Sequence, residues 1–298
     1  MLCELDFISQ SFFVTWILVS LLALSLVTVM SGVMFYLYYW PTNVTYEKWQ
    51  YKSNPKFPSP KKVRDEIITM CKGIICAAFC PTLALVLIRK GYGRAFCGWN
   101  DYSFAYHAMT FFIILIISDF YEFLYHRMGH VDFRFWKQHK HHHQFYNPSP
   151  FSVVADEWFD QFMRSLPLLV IPLLAPINMD MLFFQYGLFF YVYGVYLHMG
   201  YEWELLSAHN KYINTSFQHY CHHAKSLMNS PYHCGFFIKL WDQLFDCCYP
   251  EEKCFCAECA RKKGERTEEK YKEIQVPDYA QLLKPAIWLE YFTAGKAL

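Results

Sequence analysis

Eight of the thirteen histidines fall into three tight groups, His126-x-x-x-His130, His139-x-x-His142-His143 and His219-x-x-His222-His223. Residues three and four apart share one face of a helix, so each group predicts two or three imidazoles aimed at one point. His141, two residues beyond His139, would point about 200° round the helix and is expected to face solvent. His198, at the end of the last hydrophobic segment, is a ninth candidate that a helix leaving a bilayer would bring level with the others. Nine neutral imidazoles are too many for one ion, because a structural zinc takes four ligands and a catalytic zinc about three. Two metals sharing nine nitrogens would leave positions open for an outside ligand. Imidazole suits iron, zinc and copper alike, so the spacing does not name the metal. A loose metal-buffering loop is the bland alternative. The isolated His107 and His209 are expected to be surface or satisfied core residues.

The elements that must carry these histidines are largely apolar. The chain is 54% hydrophobic and 20% aromatic, more than a soluble domain of 298 residues carries. An uncharged run from Phe12 to Trp40, a second over about 68–88 and a third over about 104–125 are each long enough to cross a bilayer. "SLPLLVIPLLAPI" (165–177) is too short and holds three prolines, which predicts one arm of a bent or re-entrant hairpin returning over about 181–198. No Lys or Arg precedes Phe12, whereas the loop 41–66 has six, so the positive-inside rule places that loop and, by alternation, the histidines in the cytosol. The expected fold is an all-α integral membrane protein with about four to five transmembrane or re-entrant helices and a cytosolic, helical, histidine-rich di-metal domain. Asp119 lies two turns below His126 and Glu122 one turn below. Carboxylates at that depth are costly, and the expected role is to accept the second ring N–H of a ligand histidine. With 27 basic and 26 acidic side chains, no bulk charge points to nucleic acid. Twelve scattered cysteines predict reduced thiols and no disulfide framework.

The motifs resemble the sterol desaturase and fatty acid hydroxylase superfamily, in which three histidine boxes hold a di-iron centre. "NPKFPSPKKVRDEI" (54–67), "DFYEFLYHRMGH" (119–130), "HKHHHQFYNPSPF" (139–151), "DQFMRSLP" (160–167) and "LWDQLF" (240–245) look like a sterol C5-desaturase, or lathosterol oxidase. "HMGYEWE" (198–204) is more similar to C4-methylsterol oxidases and sterol 25-hydroxylases, and its Glu202 is a further candidate catalytic carboxylate. Two positions depart from the family pattern. Glu157-Trp158 stands where a His-Pro pair is usual, and His233-Cys234-Gly235 stands where Asn-Tyr-Gly or similar is usual. His233 is therefore a candidate extra ligand or water-holding group.

The resemblance implies two iron ions, O2 as co-substrate and oxidation of an unactivated C–H bond in a membrane lipid, a sterol before a fatty acid or sphingolipid. It also implies an endoplasmic reticulum membrane setting and an outside electron donor such as cytochrome b5, since no His-Pro-Gly-Gly haem stretch is present. The aromatic stretch 183–196 would suit a flat hydrocarbon ligand. A non-enzymatic metal-handling membrane protein is the competing class. The expected organisation is membrane helices and a cytosolic loop over 1–100, a catalytic region over 101–246 and a charged cytosolic tail over 247–298. In that tail Cys254, Cys256 and Cys259 have crude zinc-ligand spacing but want a fourth ligand, so free thiols are the default. Palmitoylation of Cys247 and Cys248 is a further option. The charged stretch that follows predicts a solvated helix or disorder.

Overall fold

A computed structural model of the chain describes residues 11–99 and 102–293. Among the described residues the regular elements are helices, joined by a few isolated bridges and no named strand. Helix α1 (Phe12–Tyr38) turns the small polar Thr15, Ser20 and Ser31 inward with Val27 and Phe35, and exposes Phe13, Ile17 and Leu21. That is the reverse of a helix in water and suits one packed in lipid, where small residues let backbones approach. After the short α2 (Tyr46–Trp49), α3 (Pro60–Ala77) opens on a Ser59 cap with Pro60 in its first turn. It runs through a bend at Ala78 into α4 (Phe79–Arg89). Helix α5 (Phe104–Val131) starts on Ser103. The helices Phe12–Tyr38, Pro60–Arg89 and Phe104–Val131 are long and apolar enough to cross a membrane.

At 28 residues α5 is about 42 Å long, so its last turns overrun a hydrocarbon layer of about 30 Å. His126 and His130 ride on those turns. Asp132 then caps α6 (Phe133–His139). The proline-rich stretch forms a bent descending arm, α7 (Trp158–Ser165) and α8 (Pro167–Leu174), and the chain returns through α9 (Met179–Gln185), a π-helical stretch Tyr186–Val192 and α10 (Tyr193–His198). The turn of this hairpin closes on the loop between α4 and α5. Arg94 and Ala95 amides donate to the Pro172 carbonyl at 3.1 and 2.9 Å, and the Met179 amide donates to Phe96 at 3.0 Å. The hairpin therefore reaches the opposite end of the spans from the histidines. Helix α11 (Ser216–Lys225) begins with a Thr215–Gln218 capping box, and α12 (Leu240–Leu244) and α13 (Ala257–Lys262) follow.

Two expectations fail here. The tail is not a solvated extension, because Arg266 donates to the Lys52 and Ser53 carbonyls and the buried Tyr279 hydroxyl donates to Pro58, fastening it to the loop before α3. Cys97 is disulfide-bonded, whereas free thiols were expected throughout; the other ten described cysteines are free.

Candidate metal centre

The nine histidines gather at one end of the helices and divide into two groups. His126, His130, His139, His143 and His222 form one, and His142, His198, His219 and His223 the other, with the donor nitrogens of each group all within 4.8 Å of one another. The division cuts across the sequence groups, so the expectation that each group aims at one point needs correction. Pairs four apart stay together, as in His126/His130, His139/His143 and His219/His223. The neighbours His142/His143 and His222/His223 part, because adjacent helical residues diverge by about 100°. The sequence box His139 to His143 is not one helix either. α6 ends at His139, and a 3-10 turn holds His142–Gln144. His141 is about half exposed, 3.8 Å from Glu157, as expected of a ring that misses both points.

Most rings are oriented by their Nδ1. His126 donates to the Cys234 carbonyl at 2.9 Å, His130 to Leu227 at 3.3 Å, His198 to Gly194 at 2.8 Å and His222 to Tyr232 at 2.7 Å. His142 donates to Ala155 at 3.3 Å and lies 2.9 Å from an Asp156 oxygen. His139 Nδ1 lies 3.4 Å from Asp160. A carbonyl only accepts, so it fixes the proton on Nδ1 and leaves Nε2 as a bare lone pair. His130 and His222 are both fixed this way, yet their Nε2 atoms face each other at 3.3 Å. Two lone pairs so placed repel unless a cation lies beside both. Other Nε2 pairs stand at 2.8 to 3.2 Å, from His198–His219 to His219–His223, and the buried Nε2 of His126 has no hydrogen-bond partner. Separations near 3 Å are those of nitrogens sharing one ion at about 2.0–2.1 Å. The donor set fits two metals, five imidazoles for one and four for the other.

Electrostatics agree. Burial, reinforced by the neighbouring rings, holds His139, His143, His219, His222 and His223 well below the usual imidazole range, so they are neutral at pH 7. His142 differs. Burial opposes its charging, but the charge and hydrogen bond of Asp156 outweigh that and raise it. Asp160 is pushed up to about 7 by burial and by the Asp156 charge.

Four candidates named from the sequence stand elsewhere. Asp119 accepts from the Phe237 and Ile238 amides and the Trp241 indole at 2.8 to 3.0 Å, and takes no ligand histidine. It anchors the turn whose Cys234 carbonyl orients His126. Glu122 pairs with Arg164. Glu202 accepts from Ser53 and from the Ala257 amide, on the tail side of the fold and outside both histidine groups. Burial lifts it to about 7. His233 is in neither group. Its Nε2 accepts from the Tyr249 amide at 3.2 Å, and its backbone has φ +49°. That left-handed conformation favours Asn and tolerates His, which accounts for the exchange of one for the other at this position. The orienting carboxylates Asp156 and Asp160 were missed, although two acids four apart just after the second box were a legible signal. The orienting carbonyls leave no mark on side-chain identity.

Beside the centre, a cavity is walled by Ala77, Val153, Leu168, Tyr186, Phe190 and Phe236, with Glu122, Gln161 and Arg164 at its polar side. Of the aromatic stretch, Tyr186, Phe190 and Tyr191 line it. Gln161 donates to Asp156, which links the cavity wall to His142.

Residues 111–247, the stretch that supplies both histidine groups, match the fatty acid hydroxylase family. Over that segment, rather less than half of the chain, the sequence is similar to the sterol desaturase and fatty acid hydroxylase superfamily. It is 24% identical over 221 residues to the Delta(7)-sterol 5(6)-desaturase erg32 of Schizosaccharomyces pombe, covering 74% of this chain and 64% of that one. It is 30% identical over 161 residues to erg3A of Aspergillus fumigatus, with 54% and 43% covered, and 25% identical over 166 residues to human lathosterol oxidase, with 55% and 54% covered. The chain thus spans less than two thirds of the length of each of these relatives. No solved structure gives a significant match.

Proposed function

We propose that this protein is a membrane lipid oxidase that holds two irons in its nine histidines and acts on a sterol, by C5-desaturation or hydroxylation. The observation that carries the reading is the pair of Nε2 lone pairs of His130 and His222, facing each other in a buried, neutral, all-nitrogen site. The similarity to sterol desaturases supports iron and a sterol. The irons, once bound, supply O2 activation and the oxidising strength to take hydrogen from an unactivated carbon.

The chain's own residues do the rest. The Nδ1 donors to the Cys234, Leu227, Gly194 and Tyr232 carbonyls hold each ring in one tautomer, and Asp156 adds basicity to His142. The cavity beside Phe190 and Phe236 excludes water and takes an apolar substrate from the bilayer, with Glu122 and Arg164 offering a polar end for a hydroxyl. Residues 101–246 act as the catalytic region, flanked by membrane helices before and the tail after. Electrons come from a separate donor such as cytochrome b5. The setting is the endoplasmic reticulum membrane with the histidines cytosolic. The disulfide at Cys97 supports that orientation, because Cys97 packs with Leu18 and Val19 in the half of α1 away from the histidine end, where an oxidising lumen would lie.

The test is metal analysis of the purified chain together with sterol turnover driven by reduced cytochrome b5. About two irons and an oxidised sterol are expected. Zinc in the histidine centre and no oxidised lipid from sterol, fatty acid or ceramide substrates would defeat the proposal.

A further inference from the structure

The tail cysteines lacked a fourth partner in sequence, and the fold provides one. His209, in the loop between α10 and α11, has its Nε2 3.6 Å from Cys256 Sγ and 3.6 Å from Cys259 Sγ. With Cys254 these donor atoms all lie within 4.8 Å of one another. We propose that His209, Cys254, Cys256 and Cys259 bind one zinc ion in a closed tetrahedral site, distinct from the histidine centre, which fastens the tail to the helix carrying His219, His222 and His223.

The distances fit. With Zn–S about 2.3 Å and Zn–N about 2.0–2.1 Å, a tetrahedron has a nitrogen–sulfur edge of about 3.6 Å. Three thiolates and one imidazole fill all four positions, the pattern of a structural zinc, and soft sulfur donors separate this site chemically from the all-imidazole one. Cys256 caps α13, and its Sγ accepts from the Cys259 amide at 3.4 Å, so the Cys256-x-x-Cys259 pair forms a knuckle around a helix start. All three cysteines are free.

The surroundings are built to hold the site. Phe255 packs edge-on against Phe217 and Tyr220 of α11 at 5.2 and 6.0 Å between ring centres, and Cys256 is buried with Ala208 and Cys221. The Ala257 amide donates to Glu202, which ties the knuckle to the segment just after His198. Zinc would close a loop of about fifty residues, and a long closed loop gains most from a clip. The site depends on no feature of the lipid reaction.

The test is zinc and iron content of the full chain purified in detergent. One zinc per chain is expected, lost in His209→Ala and in Cys259→Ser with iron unchanged, whereas His143→Ala loses iron and keeps that zinc. Zinc content untouched by the tail substitutions would overturn the proposal, as would a Cys256–Cys259 disulfide in the purified protein. Two measurements on the wild-type chain guard against variants that fail to fold. Cobalt-grown protein should show thiolate-to-cobalt charge-transfer absorption. Cys254, Cys256 and Cys259 should resist N-ethylmaleimide until a chelator is added. Absence of that absorption, or equal labelling before and after chelation, would rule the site out.

Discussion

His142 and His143 are neighbours in the chain and fall in different histidine groups. His143 Nε2 lies 3.0 Å from His222 Nε2 in the five-ring group, while the His142 ring centre lies 4.5 Å from that of His223 in the four-ring group. His222 and His223 repeat the split. Two consecutive pairs therefore straddle both groups, so neither group can shift without moving residues of the other.

That arrangement predicts separable metal losses with a shared loss of activity. His143→Ala should empty the five-ring position first and His142→Ala the four-ring position, and both should abolish turnover. Iron counting with Mössbauer spectroscopy distinguishes them. His141→Ala, at an exposed ring, should retain both irons and most activity; damage as severe as that of His142→Ala would contradict the assignment.

Asp156 touches the centre through His142, 2.9 Å from its Nδ1, so its expected role is to position that ring. Asp156→Asn keeps the shape but removes the charge, and loss of an orienting carboxylate typically costs about 10–100-fold in metal affinity or activity. Iron titration of the variant against wild type reads the affinity directly, and an unchanged affinity would remove Asp156 from the centre.

His233→Asn should retain iron and fold normally, since Asn accepts the left-handed backbone at that position and can still accept from Tyr249. His233→Val should lower thermal stability and disturb the Tyr232 and Cys234 carbonyls that orient His222 and His126, because a β-branched residue resists positive φ. Iron lost equally from both variants would show that the imidazole itself binds metal.

Acid should destabilise the fold. Five buried imidazoles have folded pKa values depressed below the ordinary value of about 6.5, so the unfolded chain takes up protons first as pH falls through that point. Their contribution is fully present above about 6.5 and is lost below it, and bound metal steepens the loss because ligands must stay deprotonated. His142, shifted upward by Asp156, offsets part of the effect. Thermal melts between pH 8 and pH 5 measure the slope; a flat profile would mean that the rings are solvated.

Orientation can be read from glycosylation. An acceptor site introduced into the loop 41–59 should remain unmodified, and one introduced into the loop 90–103 should be glycosylated. The opposite pattern would reverse the placement of the histidines and of the donor that serves them.

The apolar runs and histidine spacings determined much by themselves. Twenty or more uncharged residues can be satisfied only as a lipid-packed helix, and imidazoles four apart share a face wherever they are helical. Spacing could not decide which histidines share an ion, because that depends on where α6 ends and on how α5, α10 and α11 approach. It could not show that Asp119 serves the turn at Phe237, Ile238 and Trp241, since those donors lie more than a hundred residues away. His209 and the three tail cysteines are the clearest case. The cysteines show a crude ligand spacing by themselves, but His209 is unremarkable in its own stretch, and only the packing of Phe255 and Cys256 against α11 brings a nitrogen and three sulfurs from segments 45 or more residues apart to one point.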